Sequence, residues 1–193
     1  MGDFTYEAIV VGTSAGGLSA LSFILKELSP NYPLPLIVVQ HRAKDQKELL
    51  EEVLQNKCSI KIKQADEKEK IEGGVVYIAP SDYHLLIENN KTFSLSSDKH
   101  VRFSRPSIDV LFESAAAAYG SGLIGIILTG SNSDGAAGIS AIKKAGGVTI
   151  AQDPVEAQFP FMPQASIETG GVKHVWTLSE IQQFLLKNIQ PAK

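Results

Sequence analysis

Three residues with complementary chemistry each follow an apolar run. Ser14 lies in Gly12-Thr13-Ser14-Ala15-Gly16 after Ala8-Ile9-Val10-Val11, and His41 closes Leu36-Ile37-Val38-Val39-Gln40. Asp134 lies in Thr129-Gly130-Ser131-Asn132-Ser133-Asp134-Gly135, after Gly125-Ile126-Ile127-Leu128. A hydroxyl, an imidazole and a carboxylate are the parts of acyl transfer: nucleophile, general base, and a group that orients the base and stabilises its charged form. Residues 12–16 match G-x-S-x-G. At a strand-to-helix turn, the glycines of that motif relieve crowding, the serine is lifted into a cleft, and the next backbone N–H, here that of Ala15, can serve an oxyanion. The chain order Ser, His, Asp differs from the Ser, Asp, His of the α/β-hydrolases, which disfavours an ordinary member of that superfamily.

Other readings compete at each position. A dinucleotide cradle needs G-x-G-x-x-G, but the central residue is Ser14, and the second apolar run ends in Gln40-His41 rather than the acidic residue that holds a ribose. No lysine stands where a phosphate-binding G-x-x-x-x-G-K-[ST] loop requires one. Ser14 alone also suits the N-cap of the helix behind it, and Asp134 suits the N-cap of the helix starting near Gly135. The case for a triad is that all three fall on the same rim. His84, His100 and His174 have no such company and read as structural, and no Cys/His spacing predicts zinc.

The rim follows from the elements that must build it. Strands are expected at 7–12, 35–40, 59–63, 74–79, 122–129, 147–151 and 172–176, with helices at 16–28, 46–55, 106–119, 136–145, 162–169 and 179–188. Short apolar strands with no polar face, alternating with helices, predict an α/β fold: a doubly wound, mostly parallel sheet covered on both faces. Residues 84–97 read as a small antiparallel hairpin. In such a sheet, chemistry gathers outside the carboxyl ends of the strands, where Ser14, His41 and Asp134 are placed.

Composition narrows the class further. The 193 residues carry 18 Lys+Arg against 21 Asp+Glu, a net charge of −3, which argues against nucleic acid as partner. A single cysteine, Cys58, and the lack of a leader or a membrane-length apolar run point to a cytoplasmic protein without membrane insertion. Residues 99–105 hold Lys99, Arg102 and Arg105 with no acid, and Arg42 and Lys44 follow His41; this basic rim suits an acidic partner, or else is a solvated loop.

GTSAGG with a downstream VVQH, then GGVVYIAPSDYHLL, SRPSIDVLFESAA, GIILTGSNSDGAAG and AQDP…FPFMPQAS, closely resembles the catalytic domain of the chemotaxis protein-glutamate methylesterase family, CheB. The resemblance runs from about residue 7 to about residue 187 in five ordered blocks. It implies a single catalytic domain over 1–193 with no receiver domain. It also implies a serine esterase that removes glutamyl methyl esters from the cytoplasmic helices of chemoreceptors, with deamidation of receptor glutamines as a further activity. The family's triad matches Ser14, His41 and Asp134, with oxyanion donors at the Ala15 and Ser131 amides and no metal or organic cofactor. The chain departs from the family's common T-G-M-G-x-D-G in having Ser131-Asn132 at Met-Gly. That change leaves an alternative open: a catalytically weak regulatory or binding module of the same fold, acting on a non-receptor partner.

Overall fold

The computed structural model describes residues 6–41 and 50–187. The chain opens with β1 (Ala8–Thr13), α1 (Gly17–Leu25), β2 (Leu36–Gln40), α2 (Leu50–Gln55), β3 (Lys61–Gln64) and β4 (Val75–Ile78). A hairpin of β5 (His84–Ile87) and β6 (Phe93–Ser96) follows, then α3 (Ile108–Tyr119), β7 (Leu123–Ile127) and α4 (Ala136–Lys144). The chain continues through β8 (Val148–Gln152), α5 (Phe161–Glu168), β9 (His174–Trp176) and α6 (Leu178–Lys187).

Seven strands form one sheet in the order β3-β4-β2-β1-β7-β8-β9, and every pairing in it is parallel. The expected doubly wound sheet is therefore present, and β5 and β6 pair antiparallel outside it as the expected hairpin. Because side chains alternate along a strand, each central strand supplies two cores. Ile9, Val11, Leu36 and Val38 join residues of α1, α2 and α6 on one face. Ala8, Val10, Ile37 and Val39 join α3, α4, α5 and the hairpin on the other. Full burial of a side chain such as Ile9 contributes about 1.5–3 kcal/mol, which makes these central strands a rigid base for the loops above them.

Element ends differ from the sequence reading where local chemistry intervenes. The first helix was expected to reach residue 28 but closes at Leu25, and Pro30 forbids another turn. The strand expected at 122–129 ends at Ile127. Beyond it, Leu128 N–H still donates to the Gly12 carbonyl at 2.9 Å, and Ser14 N–H donates to the Thr129 carbonyl at 3.0 Å. The chains leaving β1 and β7 thus stay tied after the regular ladder stops. Of the helix expected over 46–55, α2 accounts for Leu50–Gln55, and 46–49 lie outside the described residues.

The chain fills the sheet on one side of β1 with β2, β4 and β3, then returns to its other side with β7, β8 and β9. The carboxyl ends of β1 and β7 therefore flank the topological switch point, where a crevice is available to a ligand.

Candidate active site

Ser14 is positioned by its backbone. Its N–H is held by Thr129, its carbonyl accepts from Gly17 N–H at 2.9 Å and from Gln40 Nε2 at 2.8 Å, and Gln40 belongs to the strand that carries His41. The motif glycines allow this approach for different reasons. A Cβ on Gly12 would stand 2.3 Å from Cγ2 of Ile108 at the start of α3, and Gly16 has φ +79°, in the left-handed region that favours glycine. Gly16, not Ser14, occupies the N-cap of α1, which has no side-chain cap. The Ser14 hydroxyl makes no hydrogen bond among the described residues, so the capping reading of this serine falls away.

His41 continues β2, its N–H donating to the Thr13 carbonyl at 3.1 Å, which sets it on the same rim as Ser14. Its Nε2 lies 2.8 Å from Oδ2 of Asp134, and its side chain is only 11% exposed while that of Asp134 is fully buried. No hydrogen bond joins His41 to Ser14. The other ring nitrogen, Nδ1, is met by the side-chain amide of Asn132 at 3.2 Å.

Asp134 sits at a helix N-terminus, but not the one its position in the chain suggests. It does not cap α4, whose N-cap is Gly135 without a side-chain bond. Instead it accepts from the Ile108 N–H at 2.7 Å, the Asp109 N–H at 3.1 Å and the Ser107 hydroxyl at 2.9 Å, all at the start of α3. Those amides are otherwise unpaired donors at the positive end of the helix dipole. Burial opposes the charge on Asp134, yet the hydrogen bonds from His41, Ile108 and Asp109 outweigh it and hold this carboxyl below the ordinary aspartate range.

Several supporting residues had no distinct sequence signal. Asp109, also buried, accepts from Gly135 N–H at 2.9 Å and Gly138 N–H at 2.8 Å and pairs with Arg102 Nε at 2.9 Å. Desolvation is the main reason its carboxyl is raised, and the Asp134 charge adds to it. His84 accepts the Ser107 N–H on Nδ1 at 3.2 Å and donates from Nε2 to the Lys99 carbonyl at 3.1 Å, so its structural reading stands, and it props the serine that holds Asp134. His174 stacks on Trp176 with ring centroids 4.4 Å apart. The S-I-D run at the start of α3 could have indicated Ser107 and Asp109 as helix-start residues, although not that their partners lie beyond β7.

Two cations of the basic rim, Arg102 and Arg105, are engaged internally. Arg102 pairs with Asp109 and reaches the Ser133 hydroxyl at 3.2 Å, while Arg105 binds Asp82 and the carbonyls of Ser97 and Asp98. These two arginines brace loops, which favours the loop reading of this stretch over capture of an acidic partner. Arg42 and Lys44 lie outside the described residues.

Thr129 locks the remaining loops together. Its hydroxyl donates to the Ala15 carbonyl at 2.9 Å and accepts the Phe159 N–H at 2.9 Å, while Gly130 N–H donates to the Phe159 carbonyl at 3.0 Å. Gly130 N–H is thereby occupied, whereas the Ala15 and Ser131 amides have no hydrogen-bond partner among the described residues. The rim accordingly carries an unpartnered hydroxyl, a carboxylate-held imidazole and two available N–H donors. These are the groups acyl transfer needs.

The model of the CheB methylesterase family matches residues 9–185. A Leptospira interrogans protein with a provisional protein-glutamate methylesterase/protein-glutamine glutaminase name is 48% identical over 182 residues, covering 94% of each chain. The protein-glutamate methylesterase/protein-glutamine glutaminase of Archaeoglobus fulgidus is 35% identical over 185 residues, covering 94% of this chain and 53% of that one. The crystal structure of the Thermotoga maritima CheB methylesterase catalytic domain superposes with a TM-score of 0.91 at 33% identity, covering 96% of this chain and all of that one.

Proposed function

Because this chain belongs to the CheB methylesterase family, we propose that it is a serine esterase that hydrolyses glutamyl methyl esters on the cytoplasmic helices of chemoreceptors, with Ser14, His41 and Asp134 as its triad. The observation that carries the reading is the 2.8 Å contact between His41 and the buried Asp134, on the rim where Ser14 holds a hydroxyl that caps nothing.

The steps follow from the hydrogen bonds. Ionised Asp134 can only accept, so His41 carries its proton on Nε2 and presents the lone pair of Nδ1 as the base. As Ser14 Oγ attacks the ester carbonyl, Nδ1 takes the hydroxyl proton and Asp134 stabilises the resulting imidazolium. The tetrahedral oxyanion is held by the Ala15 and Ser131 amides, each donor worth ~3 kcal/mol in the transition state. Collapse breaks the bond to the methoxy group, which leaves as methanol with the proton from Nδ1. Water, deprotonated by the same nitrogen, then cleaves the acyl-serine and releases the glutamyl carboxylate. A glutamine side chain follows the same path with ammonia as the leaving group.

Incubation with a methylated receptor fragment should release methanol with the wild-type chain and not with Ser14→Ala. Equal release by both would remove Ser14 as nucleophile. The regulatory-module alternative predicts binding without release in either.

A further inference from the structure

The loop before Asp134 contains a side chain that the mechanism above does not use. Asn132 faces both other partners: its Oδ1 accepts the backbone N–H of Asp134 at 3.1 Å, and its Nδ2 lies 3.2 Å from Nδ1 of His41. The orientation of the amide is fixed by chemistry, since a backbone N–H can only donate and must therefore meet Oδ1. Nδ2, a donor, then faces the ring nitrogen that lacks a proton, and Nε2 directs its proton to Asp134. The three groups agree on one tautomer. They also leave the lone pair of Nδ1 occupied by Asn132, while the Ser14 hydroxyl has no hydrogen bond.

We propose that Asn132 competes with Ser14 for Nδ1 of His41: it is a positioning residue that keeps the base in the correct tautomer at rest and must yield before the serine can be activated. The inference rests on the reading of Ser14 as nucleophile and His41 as base, and it names the loop 130–133 as the element that sets how much of the enzyme is poised to react. When the ring gains a proton on Nδ1, two donors face each other and Asn132 must turn away. Its Oδ1 is engaged by Asp134, so that movement carries the loop with it. A hydrogen bond donated to the neutral ring favours the neutral form. Among the described residues, Asp134 is the charged group hydrogen-bonded to His41, and it interacts in turn with Asp109, which pairs with Arg102, and with Glu113 on α3. It is Asn132, not one of these, that is hydrogen-bonded to Nδ1.

The test follows the rate at which a fluorophosphonate labels Ser14, as a function of pH, in wild type, Asn132→Ala and Asn132→Asp. Asn132→Ala should label severalfold faster on the plateau, with its acid limb displaced upward by about one pH unit, the equivalent of one net hydrogen bond. Asn132→Asp keeps an acceptor for the Asp134 amide but places carboxylate at Nδ1, so labelling should fall about tenfold at neutral pH as the ring holds both protons. A residue that only orders the loop would behave differently: Asn132→Ala would slow labelling with the limb unmoved, and Asn132→Asp would resemble wild type. Either result overturns the proposal. Labelling as expected with no methanol from a receptor ester would sink the substrate assignment and leave Asn132's role standing. If Ser14 is never labelled, the esterase reading fails, and the ¹⁵N titration of the His41 ring still decides: a midpoint unchanged by Asn132→Ala overturns the hold of Asn132 on Nδ1.

Discussion

Asp109 and Asp134 cap each other's helices. Asp134, from the loop before α4, takes the amides of Ile108 and Asp109 at the start of α3, while Asp109 takes the amides of Gly135 and Gly138 at the start of α4. Two buried carboxylates are thereby held close together, each charge answered by helix N–H donors, and by His41 or Arg102 at its outer side. The exchange joins the loop that carries Asp134 to the helix packed behind it.

Asp109→Ala should therefore affect both stability and turnover although Asp109 makes no hydrogen bond to Ser14 or His41. Leaving the Gly135 and Gly138 amides unpaired in the interior costs about 1–3 kcal/mol, seen as a lower urea midpoint. Turnover should fall as Asp134 loses its fixed place. Asp109→Asn, which keeps Oδ1 as acceptor, should lose less of both. An Asp109→Ala protein as stable as wild type would show that the reciprocal caps contribute nothing.

Asp134→Asn should be harmful to folding as well as to rate. The carboxylate accepts four hydrogen bonds, and an amide placed there turns a donor toward groups that are already donors. A stability loss of about 2 kcal/mol is expected alongside a large drop in kcat from the lost imidazole orientation. Calorimetry and kinetics on the same preparation separate the two effects.

The pH dependence of stability has opposite signs at the two aspartates. The Asp134 carboxyl is depressed in the fold, so its contribution is present above the unfolded value of ~3.9 and disappears as pH falls through the folded value. Asp109 is raised, so its ionised form opposes folding, and that opposition is relieved as pH falls through its elevated range. Mild acid should thus cost little stability through this pair, and the Asp134 contribution should be lost only below about pH 4. Urea unfolding at stepped pH checks this: the gap between wild type and Asp134→Asn should close only at the acid end.

Ser14→Ala and His41→Ala should each remove nearly all esterase activity, and the double variant should be scarcely worse, because the two act as a unit. Losses that multiply would refute the cooperation. The wild-type rate should fall in acid as the imidazole takes its proton, with Asp134 still ionised there; a rate unchanged down to about pH 4 would exclude histidine as the base.

Ser131→Met tests whether residue 131 serves through its backbone. Ser131 is exposed and its N–H is unpaired among the described residues, so kcat should stay within about tenfold, less than ~1.4 kcal/mol of transition-state difference. A thousandfold gain would mean that the natural loop is defective as an oxyanion site, and the regulatory-module reading would advance.

The sequence by itself determined the order of the elements and the rim on which the candidate residues stand. Runs such as Leu36–Gln40 lack a polar face because the strand is covered on both sides, and G-x-S-x-G, Gln40-His41 and the 129–135 loop each lie at the carboxyl end of a strand. Local pattern sufficed there, because periodicity and turn chemistry act over a few residues. What Asp134 caps was decided only by tertiary structure. Its sequence neighbours make it look like the N-cap of α4, but strand order brings α3's first turn against it, and the amides of residues 108 and 109 are better placed to receive its charge. The same holds for Asn132 at His41 Nδ1 and for Arg102, whose guanidinium pairs with Asp109. Such pairings depend on where buried donors and acceptors are left unmatched once the sheet and its helices have packed, and that demand joins residues from 7 to 91 positions apart.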